Sequence, residues 1–242
     1  MKRNFDTEIS DLENSKYGYN FDLDVMHPFM IRSMIPFFSG DSILELGSYK
    51  GQFTNRLVEH FKSITCIEAS EEAINEAKKT LPSNVQIVKG TFEDVKLEQK
   101  FDLIIMTHVL EHLDNPEIVL KRIKKEWLAR NGILIIVVPN ANAISRQIAV
   151  EMGIIESSTS ITESEYQHGH RNTFNLETLN KVVNNAKLDI VSQTGIFLKS
   201  FANFQWDLIL KEKIVAQDYL DGCYVVGQRY PDLCASLMLV CK

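Results

Sequence analysis

The stretch Ser42-Ile-Leu-Glu-Leu-Gly-Ser-Tyr-Lys-Gly51 constrains this chain more than any other. A short apolar strand carrying Ile43, Leu44 and Leu46, with one acid at Glu45, breaks into a loop bounded by Gly47 and Gly51. It then enters a helix near Gln52. A strand, a glycine turn and a helix N-terminus in that order are the start of an α/β crossover. The loop of such a crossover approaches a nucleotide-like cofactor, because glycine allows the turn and leaves room for close contact. A second apolar strand, Ile64-Thr-Cys-Ile67, ends in Glu68, an acid placed to accept hydrogen bonds from ribose hydroxyls.

The glycine spacing narrows the cofactor. A dinucleotide site needs G-x-G-x-x-G to bring the helix end to a pyrophosphate, and that pattern is missing here. An acid just before the loop repels a pyrophosphate and suits a cationic amino-acid cofactor. The pattern Glu45-x-Gly47-x-x-x-Gly51 resembles motif I of class I S-adenosylmethionine (SAM) methyltransferases, with Tyr49 standing where that family has a middle glycine. The resemblance implies that Glu45, Gly47, Tyr49, Gly51 and Glu68 bind SAM, the Tyr49 ring walling its methionine end. It also implies an α/β fold: a doubly wound, mostly parallel seven-stranded sheet closed by a hairpin, the Rossmann-like fold of these enzymes.

The rest of the chain is read on that frame. At 242 residues and 45% hydrophobic composition it can build one substantial core, so a single domain is expected over 1–242. Its parts are an N-terminal extension and helix (1–39), a SAM-binding core (40–140), a lid or substrate loop (141–174) and a C-terminal insertion (203–233). Residues 22–38 carry apolar groups at helical spacing, with Pro28 suited to a first turn, and are expected to lie over the cofactor cleft. Strands are predicted at 42–46, 64–68, 85–89, 101–106, 132–138, near 188–199 and at 235–241. Helices are predicted near 52–61, 71–80, 116–126 and 143–152, and after Asn175 as N-cap. Apolar strands alternating with amphipathic helices mean a parallel sheet covered on both faces. Residues 153–173 show no clear periodicity, and 1–20 are expected to be loosely ordered.

Three segments carry candidate chemistry. After the third strand, Gly90-Thr-Phe-Glu-Asp94 stands where the family grips adenine, which points to Thr91, Phe92 and Glu93. The fourth strand runs into Met106-Thr-His-Val-Leu-Glu-His112, delivering Thr107 and His108 to the carboxyl edge of the sheet, where ligands bind in open α/β folds. Glu111 and His112 recur in the family and are read as structural, bonding backbone near the cleft. Tyr166-Gln-His-Gly-His-Arg171 supplies His168, His170 and Arg171 from the lid. A hydroxyl must lose its proton as it is methylated, and histidine is the usual base. His108 and His170 are the main candidates and His168 a lesser one. Asn140, Asn142 and Arg171 are candidates for polar or anionic substrate groups. Trp206, Phe201, Phe204 and Tyr224 read as core.

A metal variant stays open. If the segment is helical, His108, Glu111 and His112 share a face, and with His170 they offer three imidazoles and a carboxylate. Such a set suits Mn²⁺, Fe²⁺, Co²⁺ or Zn²⁺ better than Mg²⁺. It resembles the site of small-RNA 2′-O-methyltransferases, with His108 replacing the first acid.

Several functions are disfavoured. A net charge of −6 with no long basic run argues against a nucleic-acid surface. No D/N-P-P-Y tetrad or cysteine follows the fourth strand, which disfavours methylation of base amino groups and pyrimidine carbons. The cysteines, Cys66, Cys223, Cys234 and Cys241, form no C-x-x-C pair. Together with a polar, acidic N-terminus and no bilayer-length apolar run, they suggest a reduced, cytoplasmic setting. The segments Phe21–His27, Gln167–Arg171 and Tyr219–Tyr224 resemble bacterial methyltransferases associated with surface-polysaccharide or capsule biosynthesis. That resemblance implies O-methylation of a sugar, nucleotide-sugar or phosphate-bearing precursor. A metal-dependent RNA 2′-O-methyltransferase and a non-catalytic SAM-binding module are the alternatives. A homodimer is compatible with all three.

Overall fold

The computed structural model describes residues 5–6 and 19–242, so most of the 1–20 stretch lies outside the described residues. In chain order the elements are α1 (His27–Met34), β1 (Ser42–Leu46), α2 (Gln52–Leu57), β2 (Ser63–Glu68), α3 (Glu71–Thr80), β3 (Val85–Lys89), β4 (Phe101–Thr107), α4 (Pro116–Arg122) and β5 (Leu128–Pro139). They continue with α5 (Ile144–Glu151), α6 (Glu163–Gln167), α7 (Leu176–Asn185), β6 (Ile190–Ile196), α8 (Asn203–Lys211), α9 (Gln217–Arg229) and β7 (Ser236–Cys241).

The strands form one sheet in the order β3-β2-β1-β4-β5-β7-β6. β7 runs antiparallel to β5 and β6, and the remaining pairs are parallel. This is the doubly wound sheet with a closing hairpin that the motif implied. Because β1 is flanked by β2 and β4, the chain order reverses there. A crevice opens at the carboxyl ends of those strands.

Period-two alternation sorts the strand residues between two apolar layers. Leu44, Leu46, Ile104, Met106, Ile136 and Val138 face one layer, where Val119, Leu120 and Trp127 pack with Leu179 and Val183 of α7. Ile43, Ile105, Ile135, Val137, Met238 and Val240 face the other, against Met30 and Met34 of α1, Leu57 of α2, Trp206 and Tyr224. Each fully buried aliphatic side chain contributes roughly 1.5–3 kcal/mol relative to exposure. Strands buried on both faces therefore read as near-continuous apolar runs.

The second layer also roofs the site. Phe21 stacks on Trp206 with centroids 5.1 Å apart and meets Phe197 edge-on at 5.5 Å. The Phe21 N–H donates to the Asp207 carboxylate at 2.8 Å. Helix α8 thus clamps the segment that leads through a π-helical turn (Asp22–Met26) into α1.

Two local readings differ from the sequence expectation. The stretch expected to lack regular structure contains α6, started by a capping box between Thr162 and Glu165. That Thr-x-x-Glu spacing was a readable start signal. The 203–233 excursion is two helices, in which Trp206 and Tyr224 are buried as expected. Phe201 and Phe204 are 44% and 56% exposed, and so are not core. Asn175 caps α7 as expected, accepting from the Thr178 N–H.

Candidate active site

A cavity of about 400 Å³ opens at the carboxyl edge of β1, β4 and β5. One wall is the glycine loop with Thr107, Phe53 and the π-turn and α1 residues Leu23, Met26 and His27. The same cavity is lined by His108, Glu111, His112, His168 and His170, with Arg146, Lys199 and Ser236. Among the described residues no helix is long and apolar enough to cross a membrane.

The loop is held open from below. The Gly47 N–H donates to Ile67 O at 2.9 Å and the Gly51 N–H to Ser48 O at 2.9 Å. Gly47 has φ +78°, and a Cβ there would lie 2.5 Å from Val109 Cγ2, so only glycine fits. Gly51, also left-handed, precedes α2. Tyr49 sits at φ +47° and lines the cavity, as its place in the loop implied. Glu68 ties the loop to β2: its carboxylate accepts from the N–H groups of Tyr49 (2.8 Å), Ala69 (2.8 Å) and Ser70 (2.9 Å). Glu68 is not on the cavity wall, so its part in this structure is to shape the loop rather than to face a ribose directly.

Glu45 departs from its expected place. It is 2% exposed and pairs in register with Cys66, whose thiol donates to its carboxylate at 3.4 Å. Alternation places it on the Ile43 face, under Thr54 of α2, and off the cavity wall. Burial pushes its pKa up to about 7, against the hydrogen bond from Cys66 that lowers it. A raised carboxyl pKa means stability is full below the unfolded value of 4.5 and is lost as pH rises through about 7. Glu45→Gln is therefore expected to stabilise the protein at pH 8 by roughly 2 kcal/mol, several degrees in Tm. The gain should vanish by pH 4. Thermal unfolding at the two pH values measures this, and a destabilised variant at pH 8 would contradict the assignment.

The histidine wall is shaped by an unusual backbone. His108 has φ +52°, its N–H donates to Val137 O at 2.8 Å, and its Nε2 lies 3.1 Å from Ser236 Oγ. Burial, with smaller contributions from His27, His170 and Lys199, pushes its pKa down to about 3. His27, edge-on to Phe53 at 5.1 Å, is pushed to about 4 mainly by burial. Burial also lowers His170 and His168. The left-handed turn at His108 takes it off the following 3₁₀ turn (Leu110–His112), so the helical face joining His108 to Glu111 and His112 does not form. Glu111 bonds the cleft through its backbone, its carbonyl accepting from the N–H groups of Arg171 (2.8 Å) and Asn172 (3.0 Å). Its buried side chain has no hydrogen-bond partner among the described residues, and burial raises its pKa to about 8.

Residues 29–193 match the methyltransferase domain family. The chain belongs to that family. It is similar to (S)-coclaurine N-methyltransferase of Thalictrum flavum, 30% identical over 103 residues, covering 40% of this chain and 28% of that protein. A mitochondrial ubiquinone biosynthesis O-methyltransferase of Schizosaccharomyces pombe is 27% identical, over 48% of this chain and 44% of its own length. The chain thus spans less than half of these curated relatives. A solved SAM-dependent methyltransferase of Thermotoga maritima shares the fold, with a TM-score of 0.63 at 15% identity, covering 98% of this chain and 97% of the other.

As a methyltransferase domain, the chain has a cavity wall that fits a SAM-sized donor. Gly47 leaves backbone open to a ligand. Ser48 Oγ, Thr107 Oγ1 and His27 Nδ1 are buried polar atoms on that wall without partners among the described residues. The outer half of the expected cofactor set does not join the cavity. Thr91 bonds Asp94 at 3.1 Å, and Glu93 is exposed. Phe92 packs against the core while its carbonyl accepts from Arg122 at 2.5 Å. Of the substrate candidates, Asn140 lines the cavity but its side chain is committed to the protein, and Asn142 does not line it. Asn140 is 2% exposed, and its amide holds Asp232 O and Cys234 O at 2.8 and 3.0 Å, with the Asn142 N–H on its Oδ1. The Asn142 amide faces the Asp232 carboxylate at 3.2 Å. Both brace the β5 end. Arg171 stacks over Tyr166, 5.3 Å from the ring centroid, and is not on the cavity wall.

The cavity's cations are Arg146 and Lys199, neither singled out by sequence. Arg146 binds Ser158 O, Ser160 O and Glu165, tying α5 to residues 158–165. The Lys199 ammonium donates to Asn203 Oδ1 at 2.5 Å, and Asn203 in turn donates to Asp22 at 2.8 Å. Each lies in an ordinary-looking segment, so only the fold brings them together.

Proposed function

We propose that the chain is a SAM-dependent O-methyltransferase acting on a polyhydroxylated, anionic small molecule: a sugar, nucleotide-sugar or phosphate-bearing precursor. The family and the fold support SAM as donor. The observation that carries the acceptor class is the polar lining, where Lys199, Asn203, Arg146, Ser145 and Ser236 meet in one cavity with the histidines, Asp22 and Glu165. A flat hydrophobic acceptor gains little from such a surface. Hydroxyls and an acid group satisfy it.

Gly47, Ser48, Tyr49 and Thr107 would hold the donor, which when bound supplies an electrophilic methyl carbon on a sulfonium. The chain's own work is positioning and proton handling. His108 stays uncharged down to about pH 3. A neutral imidazole does not repel a sulfonium and can accept a hydrogen bond from the attacking hydroxyl. His170, also lowered by burial, likewise adds no positive charge beside the sulfonium. The test is transfer of labelled methyl from SAM to a panel of sugars, sugar phosphates and nucleotide sugars, with aromatic amines as contrast. Methyl ethers on the sugar compounds are expected. Methylation confined to amines would reject the acceptor class.

A further inference from the structure

We propose that Glu111, His112 and His170 bind one divalent transition-metal ion on the cavity wall. The proposed role deepens the methyl-transfer reading of this site and rests on it, whereas ion binding does not. One ligand atom from each residue lies within 4.8 Å of the others. His112 Nε2 stands 3.9 Å from Glu111 Oε1, and the two imidazoles meet edge to face with centroids 4.7 Å apart. Glu111 is 2% exposed, yet neither carboxylate oxygen has a hydrogen-bond partner among the described residues. A desolvated carboxylate aimed at two imidazoles, with no donor of its own, is a costly arrangement that a cation would complete.

The two segments that carry the ligands are fastened together. The Arg171 and Asn172 N–H groups both donate to Glu111 O, and the Asn172 amide donates to Leu113 O at 2.7 Å. Loop 170–172 and the Leu110–His112 turn therefore move as one piece, which preorganises the set. Two imidazoles and one carboxylate favour Mn²⁺, Fe²⁺, Co²⁺ or Zn²⁺ over Mg²⁺ and Ca²⁺. Three protein ligands are fewer than these ions take, which leaves positions for acceptor oxygens. An ion there supplies a Lewis acid beside the reacting hydroxyl. His108 stands outside the set: its Nε2 is engaged with Ser236 Oγ, and its left-handed backbone separates it from the turn.

Co²⁺ is the probe, added to chelator-treated protein and followed by visible absorption and calorimetry. One ion per chain is expected, with Mg²⁺ failing to compete at a hundredfold excess. Glu111→Gln, His112→Ala and His170→Ala should each weaken uptake at least tenfold, and His108→Ala by less than threefold. Circular dichroism and S-adenosylhomocysteine uptake check that each variant is folded. His112 is partly exposed, so its variant keeps the test valid if a buried one fails to fold. No Co²⁺ uptake by the wild type, or uptake unchanged in folded His112→Ala and His170→Ala, overturns the site. If sugar methylation persists in chelator while Co²⁺ is not bound, this inference falls alone and the methyl-transfer reading stands.

Discussion

Replacing Gly47 with alanine is expected to lower S-adenosylhomocysteine affinity at least a hundredfold and to cost about 2–4 kcal/mol of stability. Two effects add. The residue holds φ +78°, where an L side chain costs roughly 1–2 kcal/mol, and its new Cβ would lie 2.5 Å from Val109 Cγ2. Val109 belongs to the segment joining Thr107 to Glu111, so relieving the clash moves both walls of the cavity. Gly153→Ala separates the two effects, because Gly153 has φ +70° with nothing within 4 Å of the added carbon. It should lose only the backbone cost, about 1 kcal/mol, and no affinity. Thermal unfolding and ligand titration of the two variants side by side check this. Equal affinity loss in both would mean that the glycine loop is not the donor site.

The second large effect falls on turnover rather than binding. His108→Ala and His170→Ala are each expected to reduce the rate of methyl transfer by roughly 10²–10⁴, the first through loss of a positioned proton acceptor and the second through loss of a ligand to the ion beside the reacting hydroxyl. Affinity for S-adenosylhomocysteine should change by less than about threefold, because neither side chain belongs to the glycine loop. With His108 held neutral down to about pH 3, the acid limb of the wild-type pH–rate profile should not arise from that residue. Single-turnover assays and calorimetry on the two variants measure the split. Unchanged turnover in both would remove the acceptor role of His108 and the catalytic role of the ion.

The sheet was legible because its strands are buried on both faces and bounded by polar turns. β1, β3 and α3 fall on their expected residues. The glycine loop was legible because Gly47 and Gly51 have no substitute at their backbone angles. What the sequence hid was side-chain direction. Glu45 looked like a cofactor ligand, yet alternation along β1 sends it beneath α2 to Cys66. Asn140 and Asn142 looked free for substrate but spend their amides on the 232–234 turn. The spacing of His108, Glu111 and His112 suggested one helical face, but a positive φ at His108 redirects the chain. The His108 N–H still donates to the Val137 carbonyl on the neighbouring strand as the chain turns. Arg146 and Lys199 were missed because distant segments deliver them, and no local pattern marks either one.

Methyl transfer as proposed requires a donor pocket formed by the glycine loop and the end of β4. Calorimetric titration of the full chain with S-adenosylhomocysteine tests it most directly. One site per chain is expected, with a dissociation constant on the order of micromolar and strong weakening by Gly47→Ala. A folded wild-type protein that takes up no S-adenosylhomocysteine at millimolar concentration would contradict it.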